Sequence, residues 1–278
     1  MLFLILAILS SATISIVMRI SSDKISGNLT MLAVNYLICA ILGAGYAEFS
    51  LWKPQTDGFF LTVALAALAG VLYLAGFVML QRSVRKHGVV LSSVFMKLGL
   101  LVPIVLSLLL FHEIPTIPQI AGFLIALCAI VVINLKPEAG AKHFGMGLIL
   151  LLLLGGGCDA MSKVYEVYGN AALSEQFLFY TFLVAAALCA ALVIRARERF
   201  GWKELAFGVL IGVPNFFSAK FLLLALQKLP AVVVYPSFSV ATLLIITLTG
   251  ALVFKERLSR LQWAALAAIV AALILLNV

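Results

Sequence analysis

Charged side chains are scarce in this sequence: only 11% of its 278 residues are Asp, Glu, Lys or Arg, whereas 64% are hydrophobic. A soluble domain carries charge on roughly a quarter of its residues, and the mean hydropathy here is +1.21. The composition therefore excludes a soluble globular protein and indicates an integral membrane protein. A helix needs about 20 apolar residues to cross the hydrocarbon core, so the length suffices for ten crossings and leaves no room for a soluble domain.

Signals for metal, nucleotide or nucleic-acid binding are also missing. The four cysteines lie singly in different apolar stretches, and no histidine has the spacing of a metal ligand. No GxxxxGK[ST] motif occurs, so we do not expect this chain to hydrolyse ATP. The net charge of +8 comes from basic residues between hydrophobic runs, which argues against a nucleic-acid partner. We therefore expect no metal and no cofactor.

Long apolar windows bounded by charge, Gly or Pro divide the chain into ten predicted spans. These runs are continuous, without the alternating polar positions of a barrel strand, so they predict helices. The first run lacks a basic region and a cleavage site, so it is predicted to be a span and not a signal peptide. The predicted spans are 2–18, 29–47, 58–80, 88–111, 116–135, 144–162, 174–194, 205–227, 231–254 and 259–277.

Basic residues are distributed unequally between alternate loops, which predicts the orientation in the membrane. Fourteen of the 19 Lys and Arg follow the odd-numbered spans, and only Lys53, Lys163 and Lys228 lie on the other side. Because basic residues accumulate on the cytoplasmic side, both termini are predicted to be non-cytoplasmic, in a cell (inner) membrane. The fourteen are Arg19, Lys24, Arg82, Arg85, Lys86, Lys136, Lys142, Arg195, Arg197, Arg199, Lys203, Lys255, Arg257 and Arg260.

The two halves of the sequence resemble each other. A shift of 143 positions aligns Phe111-His112-Glu113 with Phe254-Lys255-Glu256, and Gln119 with Gln262. We therefore predict two five-helix repeats, residues 1–138 and 143–278, joined at the polar stretch 136–142. Because five is odd, the second repeat would enter the membrane from the opposite face. Inverted repeats around a central cavity are a transporter architecture.

Phe-x-Glu followed six residues on by Gln, opening the last helix of each half, resembles the EamA-type family of the drug/metabolite transporter superfamily. Gly122 and the segment 225–230 before the ninth span also fit, and the resemblance covers nearly the whole chain. It implies ten helices in two inverted units, with a central cavity lined mainly by the first, third and fourth helix of each. It also implies export or exchange of small metabolites. Ala265 stands where the first half has Gly122, so the halves have diverged.

Glu113 and Glu256 each precede a helix start. A carboxylate there complements the partial positive charge of the helix N-terminus, with Thr116 and Ser259 as neighbouring capping candidates. We interpret both glutamates as scaffold and not as substrate contacts.

Two lysines lie within predicted spans, where a charge costs roughly 2.5–3.5 kcal/mol on insertion scales. Lys97 lies eight residues beyond Val89 and Lys220 eight residues before Lys228, so each is about 12 Å from a span end. On the resemblance, both spans line the central cavity. The alternative is a structural lysine that bonds to helix carbonyls or reaches the headgroups.

Asp159 and Lys163 are four residues apart on one helix face and could pair with each other. Lys163 could instead reach the interface from the helix end. Asp159 is the only carboxylate well within a span, which makes it the candidate for proton or cation coupling. The preceding Gly155-Gly156-Gly157 permits either close helix packing or local unwinding, and packing is the expected reading.

Four further residues are weaker candidates for the cavity. Arg19 matches Lys163 in the repeat, although an Arg at this helix end also follows from topology alone. Asn215, Tyr235 and Tyr73 supply polar groups on predicted cavity helices. Each could equally be an interhelical hydrogen bond or accompany a helix kink.

With Lys97, Lys220 and Lys163 facing only Asp159, the predicted cavity is positive. This favours a secondary transporter of a small organic anion, or of an amino-acid-like zwitterion bound through its carboxylate. A lipid-headgroup flippase on the same scaffold is the alternative, and a path open laterally to lipid would favour it. An intramembrane enzyme is least favoured, because His87, His112 and His143 lie in loops without a triad or metal spacing. The fused repeat supplies both halves of the cavity, so monomer and homodimer both stay open.

Overall fold

In the computed structural model, the described residues are 1–278 without 22–23, 26, 88, 111, 135–145, 199, 256–258 and 278. Phe111, Glu256, His143 and the polar stretch 136–142, on which parts of the repeat argument depend, lie outside them. The described chain is helical, and no strand occurs in it. The helices are α1 Leu2–Ser21, α2 Asn28–Tyr46, α3 Phe59–His87, α4 Val89–Leu98, α5 Leu101–Leu110, α6 Ile117–Asn134, α7 Met146–Tyr168, α8 Ser174–Ala196, α9 Trp202–Leu226, α10 Ala231–Leu252 and α11 Arg260–Leu276.

A short 3₁₀-helix, Ala171–Leu173, leads directly into α8. Seven helical stretches of the described chain are long and apolar enough to cross a membrane: Leu2–Ser21, Asn28–Tyr46, Phe59–Ser83, Met146–Tyr168, Ala171–Ala196, Trp202–Leu226 and Ala231–Leu252. Large apolar side chains point outward along them, as on α1, where Leu9 is half exposed. Surfaces of this kind are stable against lipid. The protein is therefore a multi-pass membrane protein. The remaining apolar helices are shorter, so ten crossings stay a prediction.

The predicted span 88–111 is divided into two helices, which the continuous apolar run did not indicate. The α4 helix ends at Leu98 and α5 begins at Leu101. The end of α4 is closed by backbone hydrogen bonds between residues three apart, from Gly99 N to Met96 O and from Leu100 N to Lys97 O. Pro103 then lies in the first turn of α5, where its missing N–H costs little because that group has no intrahelical partner.

By packing, the chain forms two compact units, each of which takes helices from both sequence halves. Unit I comprises Leu2–Leu74 and Val164–Gln227. It contains α1, α2, the first part of α3, α8 and α9. Unit II comprises Met1, Ala75–Lys163 and Lys228–Val278, with the end of α3, α4 to α6, most of α7, α10 and α11.

In unit I, helix α2 packs against both α8 and α9, and α1 packs against α9. Two glycines spaced by four residues bring α9 close to α2. A Cβ added at Gly208 would lie 2.6 Å from Val34 Cβ, and one at Gly212 would lie 2.8 Å from Ile38 Cβ. Small residues at this spacing allow helix backbones to approach closely, which is how helices associate in lipid.

In unit II, α6 packs against α11, and α10 contacts α5, α6 and α11. The backbone of α7 touches the break between α4 and α5. A Cβ at Gly99 would lie 2.8 Å from Gly156 N, and one at Gly156 would overlap the carbonyl oxygen of Gly99. Because α7 continues through the glycine triplet as a helix, the triplet serves close packing and not unwinding.

Two helices are capped in the same way at positions matched by the repeat. Gln119 Oε1 accepts a hydrogen bond of 3.0 Å from Thr116 N, and Gln262 Oε1 accepts one of 2.9 Å from Ser259 N. At α11 the Ser259 hydroxyl also accepts from Gln262 N, which completes a capping box. The predicted capping role of Ser259 is confirmed, and at both helices the Gln of the motif supplies the acceptor for a backbone N–H at the helix start.

Gly156→Ala should destabilise the protein by about 1–3 kcal/mol, because the new methyl group has no space against Gly99. The adjacent Gly155→Ala is the matched control, since its Cβ would lie at an ordinary 3.8 Å from Met96. Thermal unfolding of detergent-purified protein would compare the two. Equal unfolding temperatures for both variants would contradict this account of the α4–α5 break.

Candidate functional site

The structure divides the predicted site residues between the two units. Lys97, Asp159, Lys163 and Tyr235 lie in unit II. The other four, Arg19, Tyr73, Asn215 and Lys220, lie in unit I. That Lys97 and Lys220 share one cavity therefore stays a prediction, and each group is described within its own unit.

In unit II the predicted candidate Lys163 pairs with Glu113. Lys163 Nζ lies 2.9 Å from Glu113 Oε1, and the exposed fractions of the two side chains are 8% and 17%. A pair this enclosed gains from its geometry only if the remaining carboxylate oxygen also finds donors. Glu113 Oε2 accepts from Ser107 Oγ at 3.1 Å and from Ala231 N at 2.7 Å.

Glu113 caps α10 and not α6, the helix it precedes, so the expected capping role is right in kind but wrong in its helix. The N-cap of α10 is Pro230, whose side chain makes no capping hydrogen bond. Glu113 Oε2 supplies the acceptor instead, to Ala231 N and at 3.3 Å to Val232 N. A bond from Glu113 N to Ser107 O turns the residue back towards the end of α5.

Lys97 and Asp159 interact electrostatically within unit II. Lys97 is in the last turn of α4, two residues before Gly99, and Asp159 follows Gly156 by three residues on α7. The helix segments that carry the lysine and the aspartate therefore meet at these two glycines. Lys163 pairs with Glu113, a partner that the sequence did not indicate, and pairing of Lys163 with Asp159 stays a prediction.

Tyr235 is buried on α10, with 1% of its surface exposed. Its hydroxyl donates to the backbone oxygen of Asp159 at 2.8 Å. Tyr235 thus makes an interhelical hydrogen bond, the alternative to direct substrate contact, and holds α10 against the turn of α7 that carries Asp159.

In unit I the ammonium group of Lys220 has two partners. Its Nζ lies 2.7 Å from Glu175 Oε1 and 3.4 Å from the ring centroid of Tyr46. Glu175 is in the first turn of α8, and Tyr46 is the last residue of α2. Lys220 therefore combines an ion pair with a cation–π contact.

Asn215 makes an interhelical hydrogen bond in unit I, which was one of its two expected roles. Its Nδ2 donates to Asn35 Oδ1 at 3.1 Å, and Cys39 Sγ donates to the Gly212 oxygen at 3.2 Å. These bonds join α2 and α9 beside Pro214, which interrupts the backbone bonding of α9.

Tyr73 belongs to an aromatic cluster in unit I, with ring centroids 6.1 Å from Tyr36 and 5.8 Å from Phe182. Arg19 is exposed in the last turn of α1, where topology alone predicts a basic residue. The four cysteines are free thiols, and Cys39 and Cys189 are buried.

The expectation that the lysines face only Asp159 is wrong. Lys163 pairs with Glu113 and Lys220 with Glu175, so two acids were missed. Both acids lie at or beyond a helix end. The sequence analysis considered only charges well within a predicted span, so it did not identify them as partners of the lysines. A long lysine stem spans more than one helical turn and reaches a partner at the end of a neighbouring helix.

The sequence model of the EamA-like transporter family matches residues 1–135 and 145–278. A curated protein of Haemophilus influenzae, described only as an uncharacterized protein, is 28% identical over 274 residues. The alignment covers 94% of this chain and 92% of that protein. A crystal structure described only as that of a protein superimposes with a TM-score of 0.73 at 18% identity. It covers 99% of this chain and 94% of the other, and it shows a shared fold.

Glu113→Gln should destabilise the protein by on the order of 3 kcal/mol, because it removes the carboxylate that pairs with the buried Lys163 ammonium. The double variant Glu113→Gln/Lys163→Met should recover part of that loss, because it also removes the buried positive charge. Thermal unfolding in detergent measures both, with the exposed Glu48→Gln as control. An unfolding temperature for Glu113→Gln equal to that of the control would contradict the pairing.

Proposed function

The chain belongs to the EamA-like transporter family of the drug/metabolite transporter superfamily, and from this premise we propose that it is a secondary transporter of an amino-acid-like zwitterion. Transport would proceed by alternating access, as export or exchange. The observation that carries the substrate class is the pairing of lysines with carboxylates in both units, Lys163 with Glu113 and Lys220 with Glu175. The electrostatic interaction of Lys97 with Asp159 is consistent with it.

Paired charges favour a zwitterion over a simple anion. An anion bound to Lys97 would leave Asp159 without its counter-charge in a poorly solvated place, at a cost of several kcal/mol. A zwitterion offers an ammonium to Asp159 and a carboxylate to Lys97, so every charge keeps a partner. Binding a zwitterion therefore replaces the interaction of Lys97 with Asp159 by two interactions with the ligand and leaves the net charge unchanged. Its free-energy cost is lower than that of binding a simple anion.

The break between α4 and α5 supports a binding role for the neighbouring Lys97. Discontinuous helices in transporters expose carbonyl groups at one helix end and N–H groups at the next, which can bind charged ligand groups. Lys97 lies in the last turn before the break. In this proposal Lys97 binds the carboxylate, and Tyr235 positions Asp159 through its hydrogen bond to the Asp159 backbone.

Asp159 is also the proposed coupling group. A carboxylate that binds either a proton or a substrate ammonium could link their movements, whereas exchange needs no titrating acid. Without a nucleotide-binding motif, the driving force would come from gradients of solute or ions.

A lipid flippase is the second candidate, and one observation bears on it. Unit I has an open groove of about 680 Å³ between α1 and α9, of a size for an acyl chain. Its polar lining side chains are the hydroxyls of Ser10 and Thr13, and Thr13 Oγ1 already donates to the Leu9 oxygen. The described residues that line the groove include no cation that could bind a phosphate headgroup. We therefore interpret the groove as a surface that faces lipid and not as a path for headgroups.

The substrate class is tested by a thermal-shift screen of purified protein, since a ligand of the folded state raises its unfolding temperature. Amino acids should stabilise the wild type more than carboxylates, phosphorylated metabolites, amines or cationic drugs. Lys97→Met and Asp159→Asn should each weaken amino-acid binding at least tenfold, because each loses one charge-assisted contact. Uptake of the same amino acid into proteoliposomes then tests transport.

The control is Lys203→Met, which removes an exposed lysine in the first turn of α9. Stabilisation by cations alone, with Lys97→Met responding like the wild type, would reject the zwitterion proposal and leave the family assignment intact. A response to phospholipid headgroups, with lipid scrambling in vesicles, would favour the flippase.

For the orientation we propose non-cytoplasmic termini in a bacterial inner membrane, from the loop charges. A C-terminal alkaline phosphatase fusion should be active, and a green fluorescent protein fusion at the same position should be dark. Fluorescence of the second fusion would reverse the proposed orientation.

A further inference from the structure

Lys220 fills a position in unit I that is built like a receptor for an organic ammonium group. Its Nζ meets a carboxylate oxygen of Glu175 at 2.7 Å and the face of Tyr46 at 3.4 Å from the ring centroid. A carboxylate beside an aromatic face is the combination that recognises alkylammonium ligands. The protein's own side chain here makes the contacts that a ligand amine would make.

The receiving groups do not depend on Lys220 for their position. The Tyr46 ring stacks on Phe216 at 5.5 Å and meets the edge of Phe217 at 6.0 Å. Phe216 is fully buried, so the ring rests on a fixed base. Glu175 is held in the first turn of α8, where the helix N-terminus favours its negative charge.

Glu175 also retains unused capacity to accept hydrogen bonds. Its Oε2 is buried and has no hydrogen-bond partner among the described residues. An unpartnered carboxylate oxygen away from bulk water is costly, and a ligand ammonium with three donors could serve both oxygens. The pair is not sealed, because 30% of the Glu175 side chain and 15% of the Lys220 side chain are exposed.

We propose that Glu175 and Tyr46 form a binding site for an organic ammonium group, and that Lys220 occupies it as a tethered competitor when no ligand is bound. A ligand amine displaces the Lys220 ammonium, and the freed lysine is then available to a carboxylate on the same ligand. The second step rests on the proposed function, because it requires a zwitterion. The ammonium site itself requires only Glu175 and Tyr46.

A tethered competitor makes the site weak in the wild type and stronger when the competitor is removed. A group attached at the site acts at an effective concentration of millimolar or more, which a free amine must exceed. Replacing Lys220 by an uncharged side chain of similar length removes that competition. Affinity for an amine should then rise, whereas loss of an ordinary binding residue lowers affinity.

The test measures binding of benzylammonium to the full-length protein in detergent at pH 8, with benzoate and benzyl alcohol as matched probes. Lys220→Met should bind benzylammonium at least tenfold more tightly than the wild type, with no such gain for the other two probes. Lys220→Arg keeps a tethered cation and should resemble the wild type. Lys203→Met, on the same helix, should also show no gain.

Adding Glu175→Gln or Tyr46→Leu to Lys220→Met should abolish the gain. A gain that survives Glu175→Gln, or no gain in folded Lys220→Met, would overturn the proposal. The wild type gives an independent measurement that does not depend on folding of the variant. Benzylammonium should accelerate acetylation of Lys220, followed by mass spectrometry, and benzyl alcohol should not; equal rates with both would also overturn the proposal.

Proteoliposome uptake separates this proposal from the proposed function. If Lys220→Met gains affinity for benzylammonium but the wild type takes up no amino acid, the ammonium site stands and the transporter proposal is rejected. If the wild type takes up an amino acid but Lys220→Met gains no affinity, the transporter proposal stands and the ammonium site is rejected.

Discussion

A charge or a free backbone N–H group in an apolar environment must find a partner within the protein, and this constraint organises the described structure. Glu113 meets both demands with one carboxylate. One of its oxygens pairs with Lys163 and the other accepts from the first N–H groups of α10, whose N-cap is a proline. The same solution recurs at α2, which begins after Gly27 without a side-chain cap and where Glu198 accepts from Thr30 N at 3.0 Å. Glu113 and Glu198 therefore each supply an acceptor to the start of a helix that lacks a side-chain cap of its own.

The carboxylate partners of Lys163 and Lys220 lie at or beyond helix ends, which explains why a count of charges within spans missed them. Lys97 and Asp159 were identified as charges within predicted spans, because their positions inside apolar runs are visible in the sequence. Glu113 and Glu175 were not recognised as partners, since only folding brings α5, α7 and α10, or α2, α8 and α9, to one point. Linear spacing reports what lies on one helix, and ion pairs between helices depend on packing.

Other features were predictable to different degrees. Apolar run length located nearly every helix, and Ser259, predicted as a capping candidate, caps α11 in the structure. The break at Gly99 was not predicted, because the apolar run continues on both sides of it and a glycine inside such a run has several possible roles. Its close contact with Gly156 gives the physical reason, since backbones approach this closely only where both side chains are absent. The proline-containing helices α9 and α10, by contrast, continue through Pro214 and Pro236.

The composition of the two compact units has a consequence for biosynthesis. Unit I needs α8 and α9 in addition to α1 and α2, and unit II needs α10 and α11 in addition to α5 and α6. When the ribosome has completed the first half of the chain, neither unit has all of its helices. Until α9 is inserted, the surface of α2 that packs against the α9 glycines has no helix to pack against. The hydrogen bond between Asn35 and Asn215 also cannot form before then. Contacts of such long sequence separation form late, so the chain depends on the membrane, and on whatever shields its early helices there, for longer than a protein whose halves fold one after the other.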